Sequence, residues 1–146
     1  MNKQLIVHNE VSIDAPASAI WEVLVNPQFI KQWDDLPEDF GSAHLTLGGV
    51  IDWAGYSRLT VVDFEPEQRL RFALYVPKWP HPAEHYNIGY TYTLSRQGDH
   101  ILLTSEIGDF AAIPNGESYY EESVKFGNQS VQKIKQLAEQ ISHRGV

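Results

Sequence analysis

The sequence has no cysteine and is poor in basic residues, and each shortage excludes a class of protein. Without cysteine, the chain forms no disulfide and offers no thiolate to a metal, an iron–sulfur cluster or a nucleophilic mechanism. Its 11 Lys and Arg residues stand against 19 Asp and Glu residues, which gives a formal net charge of −8. Because such a charge repels phosphate backbones and anionic lipid, we predict no nucleic-acid partner.

Long hydrophobic runs are missing as well. No apolar stretch approaches the roughly 20 residues that span a bilayer, and the N-terminus lacks the pattern of a signal peptide. We therefore predict no membrane insertion and a cytoplasmic location. The sequence does contain 42% hydrophobic residues in 146, which suits one core, so we predict a single domain spanning residues 1–146.

The first third of the chain predicts one strand and two short helices. Apolar and polar residues alternate from Leu5 to Asp14, as in a half-buried strand. Pro16 suits the first position of a helix, which Asn26-Pro27 ends, and a second short helix runs from Pro27 to about Trp33. The acidic run 34–39 lacks the ligand spacing of a calcium loop, so we interpret it as solvated surface.

Strands dominate the middle of the chain, and a long helix ends it. Turn residues divide the stretch from Ala43 to Phe110 into six further strands, whose succession without helices predicts antiparallel pairing and an α+β fold. Ser118 and Glu121 have capping-box spacing and predict the start of the last helix. One apolar stripe then follows to about His143 and comprises Tyr120, Val124, Gly127, Val131, Ile134, Ala138 and Ile141.

This order of elements and three phrases of sequence resemble a known family. The phrases are Ile13-Asp-Ala-Pro-Ala-Ser-Ala-Ile-Trp-Glu-Val-Leu24, Val61-Val-Asp-Phe-Glu-Pro66 and Tyr90-Thr-Tyr-Thr-Leu94. They are similar to START-like (SRPBCC) proteins, most of all to the branch of activator of heat-shock ATPase homologues, in a superfamily that includes polyketide cyclases. The resemblance implies a helix-grip fold, with a curved sheet of about seven strands gripping a long C-terminal helix. It also implies a ligand cavity between sheet and helix, but no single ligand or reaction.

One literal motif is set aside because its context is wrong. His81-Pro-Ala-Glu-His85 matches H-x-x-E-H, in which a helix presents two histidines to zinc. Pro80 and Pro82 flank the first histidine and leave no room for such a helix. We interpret the segment as an interstrand loop and predict no metal site and no cofactor.

Three features have two interpretations each. Tyr86, Tyr90 and Tyr92 share one face of a strand, which either lines a pocket or packs against the last helix. Arg58 falls in register with Phe64 and points inward towards Glu106 or an acidic ligand, unless a one-residue bulge turns it to solvent.

The third such feature, Gly127, interrupts the last helix at a cost of about 1 kcal/mol relative to Ala. It either makes room for a ligand or allows close packing against an aromatic ring of the sheet.

The leading hypothesis is a protein that binds a small hydrophobic or aromatic ligand, such as a lipid, a polyketide or an isoprenoid. A cyclase- or hydrolase-type enzyme using Arg58, Glu106 or a cavity tyrosine is the alternative, and a protein-interaction module with exposed Tyr75 and Trp79 is a further one. We predict a monomer or a homodimer. The predicted ligand contacts are Trp33, Trp53, Arg58, Phe72, Tyr90, Tyr92, Glu106, Phe110, Tyr120, Val124 and Gly127.

Overall fold

The computed structural model describes residues 4–38, 40–53, 56–82 and 85–144. Six strands and three α-helices make up this part of the chain. The strands are β1 (Val7–Ile13), β2 (Val50–Trp53), β3 (Ser57–Glu65), β4 (Arg69–Tyr75), β5 (Gly89–Gln97) and β6 (His100–Gly108). The helices are α1 (Ala17–Val25), α2 (Pro27–Trp33) and α3 (Gly116–Arg144), with a short 3₁₀ helix at Phe110–Ala112.

The strands form one antiparallel sheet in the order β1-β6-β5-β4-β3-β2. The predicted α+β helix-grip fold is confirmed, with six strands where about seven were expected. The difference lies before β2, where the Leu45 N–H donates to the carbonyl of Val25 in α1 and not to a strand. Only Gly48 and Gly49 in that segment bond to β3, through Val61, before β2 begins.

The two short helices follow the predicted boundaries closely. Pro16 stands just before α1, and Asn26 caps α2 by accepting a hydrogen bond from the Gln28 N–H, with Pro27 in the first turn. Both helices bury an apolar side, which includes Ile20, Trp21, Leu24, Val25, Ile30 and Trp33. The pair is therefore held by core packing as well as by the cap.

Helix α3 begins two residues before the predicted capping box. Asn115 takes a positive φ of 60° and its carbonyl accepts from the Ser118 N–H, so the first turn is already under way at Gly116. Ser118 thus lies inside the helix. The predicted apolar stripe is confirmed, with Gly127, Val131, Ile134 and Ala138 buried. No helix among the described residues is long and apolar enough to cross a bilayer.

The core has two parts. The larger one packs α1, α2 and the second half of α3 on the sheet, around Ile13, Leu24, Leu70, Leu103 and Ile134. The smaller one lies around the 3₁₀ helix and the first turns of α3, and it comprises Leu5, Val7, Val76, Trp79, Ile88, Ile107, Phe110 and Ile113. The sheet and α3 are shared between them, and this leaves a boundary under the first half of α3.

Candidate functional site

A cavity of about 510 Å³ lies at this boundary, between the first half of α3 and the sheet. Its apolar wall consists of Trp53, Leu59, Leu74, Val76, Tyr90, Phe110, Tyr119 and Phe126. Tyr56, Ser57 and Ser123 add hydroxyl groups, and Asp34, Asp35 and Glu122 add carboxyl groups. The lining therefore comes from β2 to β5, from the 3₁₀ helix, from α3 and from the segment that follows α2.

Aromatic contacts fix the walls. The rings of Tyr90 on β5 and Phe126 on α3 meet edge to face with centroids 5.9 Å apart, and they close the cavity on the side of the larger core. Phe110 and Tyr119 stack at 5.9 Å on the opposite side. Edge-to-face and stacked pairs at these distances are favourable, so these rings hold the cavity open without a ligand.

A carboxyl group with an unusual environment marks the polar end of the cavity. Asp34 is the C-cap residue of α2, where its N–H donates to the carbonyl of Ile30. The pKa of Asp34 is raised to about 6, chiefly by burial and to a smaller extent by the nearby charge of Asp35. The Asp35 N–H donates to Asp34 Oδ1 at 2.7 Å and acts in the opposite direction. Desolvation is the dominant cause, since it disfavours the charged form.

Two tyrosine hydroxyls lie within the electrostatic reach of Asp34. Burial raises the pKa of Tyr90, and the negative charge of Asp34 adds to this rise. The pKa of Tyr92 is raised in the same way. Neither hydroxyl is hydrogen bonded to another described residue, and neither is among the fully buried polar atoms that lack a partner, so both remain accessible to solvent. The described residues that line the cavity include no Lys, Arg or His.

A wider depression of about 790 Å³ lies between the N-terminal segment at Gln4 and the stretch from Asp109 to Ser118. Most of its walls are exposed, including Ala111, Ala112 and Glu117. Among the described residues that line it, Phe110 is the one aromatic side chain, whereas several aromatic residues line the first cavity, and we therefore place the candidate site in the first cavity.

The predicted contact residues divide into those at the cavity and those behind it. Trp53, Tyr90 and Phe110 line it. Trp33, Phe72 and Tyr92 form a packed layer that adjoins it, in which Tyr92 contacts the ring of Trp33 at 5.9 Å and that of Phe72 at 6.4 Å. The indole N–H of Trp33 donates to the Val23 carbonyl at 2.8 Å. The face of β5 thus serves both of the roles considered for it.

The three predicted contacts on α3 have other surroundings. Tyr120 and Val124 are half-buried and pack against the smaller core. Gly127 lies against β1, where a Cβ atom would collide with Asn9 Oδ1 and lie 3.2 Å from Val7 Cγ1. Close packing therefore explains this glycine, with side chains of β1 in place of the expected aromatic ring.

Arg58 and Glu106 lie on the outer face of the sheet, so of the two orientations considered for Arg58 the one turned to solvent by a bulge is confirmed, and neither residue contacts the cavity. The register between β3 and β4 shifts between Val61 and Asp63, so Phe64 shares the inner face with Leu59 and Val61. Arg58 is then turned to solvent, 3.8 Å from the Asp52 carboxylate.

Glu106 is exposed between the buried residues Ser105 and Ile107. Its position on β6 follows from simple alternation along the strand. No Arg58–Glu106 pair exists inside the protein.

Neither Tyr75, the last residue of β4, nor Trp79 is exposed as the sequence predicted. Trp79 is 6% exposed and its ring meets Tyr86 at 4.9 Å and Tyr119 at 6.0 Å. The Tyr75 hydroxyl donates to the carbonyl of His81. Tyr86 precedes β5, which begins at Gly89, so only Tyr90 and Tyr92 of the three tyrosines belong to the strand.

The H-x-x-E-H segment shows no zinc-binding helix in its described residues. The rings of His81 and His85 stack with centroids 4.2 Å apart, while Glu84 lies outside the described residues. Within the described ranges, no group of three or more His, Asp or Glu side chains is arranged to hold a metal ion.

The acidic residues of the site were missed by the sequence analysis. Asp34 and Asp35 were interpreted as solvated surface, yet both line the cavity, as do Tyr56, Tyr119, Glu122 and Phe126. A signal was present for Asp34, because it directly follows Trp33 at the end of a helix that buries its apolar side. A charge run that directly follows a buried aromatic residue starts half-buried, as Asp34 does, while Asp35 is exposed as predicted.

Comparisons with known proteins agree with this architecture. Protein MLL2253 from Mesorhizobium loti aligns with a TM-score of 0.71 and 23% identity, covering 92% of this chain and 97% of that one. The Aha1 dimer from Colwellia psychrerythraea gives 0.70 and 12%, covering 92% and 96%. CalU16 from Micromonospora echinospora gives 0.63 and 16%, covering 97% and 94%. No curated protein matches the sequence.

At such low identities, these three structures support the fold alone. The family model described as "Activator of Hsp90 ATPase homolog 1-like protein" matches residues 14–139, which is most of the chain. The match begins just after β1 and ends within the last turns of α3. This chain therefore belongs to the activator of Hsp90 ATPase homolog 1-like family, a branch of the START-like proteins.

Proposed function

We propose that the protein binds a small, mostly apolar or aromatic molecule in the cavity between the sheet and α3. The observation that carries this proposal is the cavity itself, with about 510 Å³ of space and a largely aromatic and aliphatic wall. Pockets for small molecules typically measure about 300 to 1,000 Å³ and combine such walls with a few polar groups. A lipid, a polyketide and an isoprenoid all have the required apolar body.

Filling the cavity tests this proposal. N-phenyl-1-naphthylamine, an uncharged dye that fluoresces in apolar surroundings, should bind the wild-type protein. Ser123 is buried and lines the cavity, so Ser123→Leu places a larger apolar group in the space and should weaken dye binding at least tenfold. Gln132→Leu, on the exposed side of α3, is the control and should bind like the wild type.

Native mass spectrometry with lipids, aromatic polyketides and isoprenoids extends the search to natural ligands. A wild-type protein that retains none of these compounds and does not bind the dye would contradict the proposal. Equal dye binding by the wild type and Ser123→Leu would move the binding site away from this cavity.

A cyclase- or hydrolase-type enzyme is the second candidate, and Asp34 favours it. A carboxyl group with a pKa of about 6 suits a general acid or base near neutral pH, and the Tyr90 hydroxyl is available as a donor. Arg58 and Glu106 do not serve this role, because they lie outside the cavity. In an enzyme, Asp34→Asn should lower the turnover of a bound ligand by a larger factor than it lowers affinity.

The state of association is the remaining part of the proposal. The Aha1 from Colwellia psychrerythraea is a dimer in its solution structure, and we propose a monomer or a homodimer for this chain. Light scattering coupled to size-exclusion chromatography distinguishes the two. That the protein binds a partner protein, and that it is located in the cytoplasm, both stay predictions from the sequence.

A further inference from the structure

We propose that the cavity selects ligands in which a protonated amine is attached to an apolar, preferably aromatic, body. This inference rests on the proposed binding function and specifies its ligand class. It replaces the acidic ligand group that was considered when Arg58 was expected to point inward.

The charges around the cavity carry the first step of the argument. Asp34, Asp35 and Glu122 all contribute to its lining, and no basic residue does so among the described residues. A carboxylate on a ligand would therefore enter a space that holds only like charges. A cation would meet the exposed carboxyl groups of Asp35 and Glu122 at the rim and the half-buried one of Asp34 further in, where partial desolvation strengthens the attraction.

The second step is the missing partner of Asp34. Its Oδ1 accepts a hydrogen bond from the Asp35 N–H, but no described cation faces either oxygen and no described donor reaches Oδ2. A desolvated carboxylate without a counter-charge is unfavourable, and a paired one is much less so. The ammonium group of a ligand has three donors and a positive charge, which supply both missing interactions.

The aromatic lining provides the third step. Trp53 and Tyr90 line the same space as the carboxyl groups, and Tyr56, which is 76% exposed, stands at its rim. Aromatic faces attract cations that lie within about 6 Å, and they also pack against the rings of a ligand. The Tyr90 hydroxyl oxygen has no partner among the described residues and can accept a further hydrogen bond from the amine. Leu59, Leu74 and Val76 are left for the apolar body.

The other titratable groups that line the cavity near Asp34 are carboxyl and phenol groups, and none of those described is a basic side chain. These groups are Asp35 from its own segment, Tyr56 after β2, Tyr90 on β5, and Tyr119 and Glu122 on α3, with Tyr92 behind them. None of them carries a positive charge that could compete with the ligand amine. Protonating Asp34 therefore only removes the attraction between its carboxylate and the amine. Amine binding should therefore weaken when the pH falls below the pKa of Asp34.

Three probes that differ only in their polar group test the inference. These are 1-naphthylmethylamine, 1-naphthylmethanol and 1-naphthoate, titrated calorimetrically into the full-length protein at pH 7.5. We expect the amine to bind at least tenfold more tightly than the alcohol, and the alcohol more tightly than the carboxylate. On lowering the pH to 5, the amine should lose about tenfold in affinity, because Asp34 becomes mostly protonated, and the alcohol should show no matching loss.

Matched variants assign the preference to one residue. Asp34→Asn should reduce the amine-to-alcohol affinity ratio to within about threefold of unity. Asp99→Asn, the same change in the exposed turn between β5 and β6, should leave the ratio as in the wild type. The pH comparison needs no variant, so the test stands even if Asp34→Asn folds poorly.

The possible failures are distinguishable. If the alcohol or the carboxylate binds as tightly as the amine, the charge preference is overturned and the cavity remains a binding site. If the ratio survives in Asp34→Asn, the assignment to Asp34 is overturned. If none of the three probes binds, the proposed function itself fails.

Discussion

The two halves of α3 meet the same sheet in different ways. In the second half, Val131, Ile134 and Ala138 are 3%, 0% and 0% exposed and belong to the larger core. In the first half, Tyr119, Glu122 and Phe126 stand at the edge of the cavity. One helix therefore serves as a core element along one part of its length and as a wall of the cavity along the other.

The short helices explain the difference. Helix α1 packs against the second half of α3, and its buried side fills the space above the sheet. The chain then leaves α2 at Trp33, whose ring contacts Phe126 at 6.5 Å. Beyond that contact neither short helix fills the space between the sheet and α3 among the described residues, and the acidic segment at Asp34 takes their place. The position where α2 ends thus sets the position where the cavity begins.

The first prediction separates the two halves by stability. Ile134→Ala removes a fully buried side chain from the packed half and should lower the free energy of unfolding by about 2 to 5 kcal/mol. Urea denaturation followed by tryptophan fluorescence measures this loss. Since Ile134 does not line the cavity, the folded variant should bind 1-naphthylmethylamine within twofold of the wild type.

The exposed position Gln132 on the same helix provides the control, because Gln132→Ala should change stability by about 0.5 kcal/mol or less. A folded Ile134→Ala protein that had lost ligand affinity would show that the two halves act as one unit, and the comparison would fail.

The second prediction concerns Asp34. Unlike the first substitution, replacing this residue should increase the free energy of unfolding. Its folded pKa of about 6 lies above the ordinary value of 3.8 for an aspartate, so the folded state binds the proton more tightly than the unfolded state. Stability is therefore lost as the pH rises from about 4 through 6, and the ionised group costs up to about 3 kcal/mol at pH 7 and above, at about 1.4 kcal/mol per pKa unit. Asp34→Asn should remove this cost and stabilise the ligand-free protein.

Thermal unfolding of both proteins between pH 4 and 8 measures the effect. The difference in melting temperature should be smallest near pH 4 and should increase up to about pH 7. A difference that does not depend on pH would show that Asp34 has an ordinary pKa. The combination of higher stability and a lower amine-to-alcohol affinity ratio would mark Asp34 as a residue that serves binding at the expense of stability.

Much of the fold could be predicted from the sequence because local rules and burial agree there. The alternation in β1, the Asn26-Pro27 boundary and the apolar stripe of α3 each leave a periodic trace. The seventh strand was wrong because the segment before β2 bonds to α1, and such a long-range contact has no local signature. The predicted start of α3 was two residues too late, because the turn at Asn115 begins the helix before the capping box.

The site was less predictable, because it depends on which way single residues point. At the bulge between Val61 and Asp63, the alternation of side chains along β3 shifts by one residue. A one-residue shift is enough to move Arg58 from one face of the sheet to the other. Glu106 followed the same mistaken pairing. Asp34 was missed because the hydropathy of a residue does not show that its neighbours will cover it. Trp53, Tyr90 and Phe110 were found because large aromatic residues in strands and turns are rarely left in solvent.

The third prediction tests how tightly the boundary between the two halves is packed. Gly127→Ala gains about 1 kcal/mol of helix propensity, yet the new Cβ would collide with Asn9 Oδ1 on β1. Asn9 also donates to Asn128 Oδ1 at 2.9 Å, so it cannot move without losing this bond. We expect a net destabilisation of about 1 to 2 kcal/mol by urea denaturation.

A double-mutant cycle with Asn9→Ala gives this prediction a strict check. If the collision is the cause, removing the Asn9 side chain should make Gly127→Ala neutral or stabilising, with a coupling energy of about 1 kcal/mol or more. Additive effects would mean that Gly127 is required for another reason, such as space for a ligand. Close approach of α3 to β1 would then no longer explain the glycine at this position of the helix.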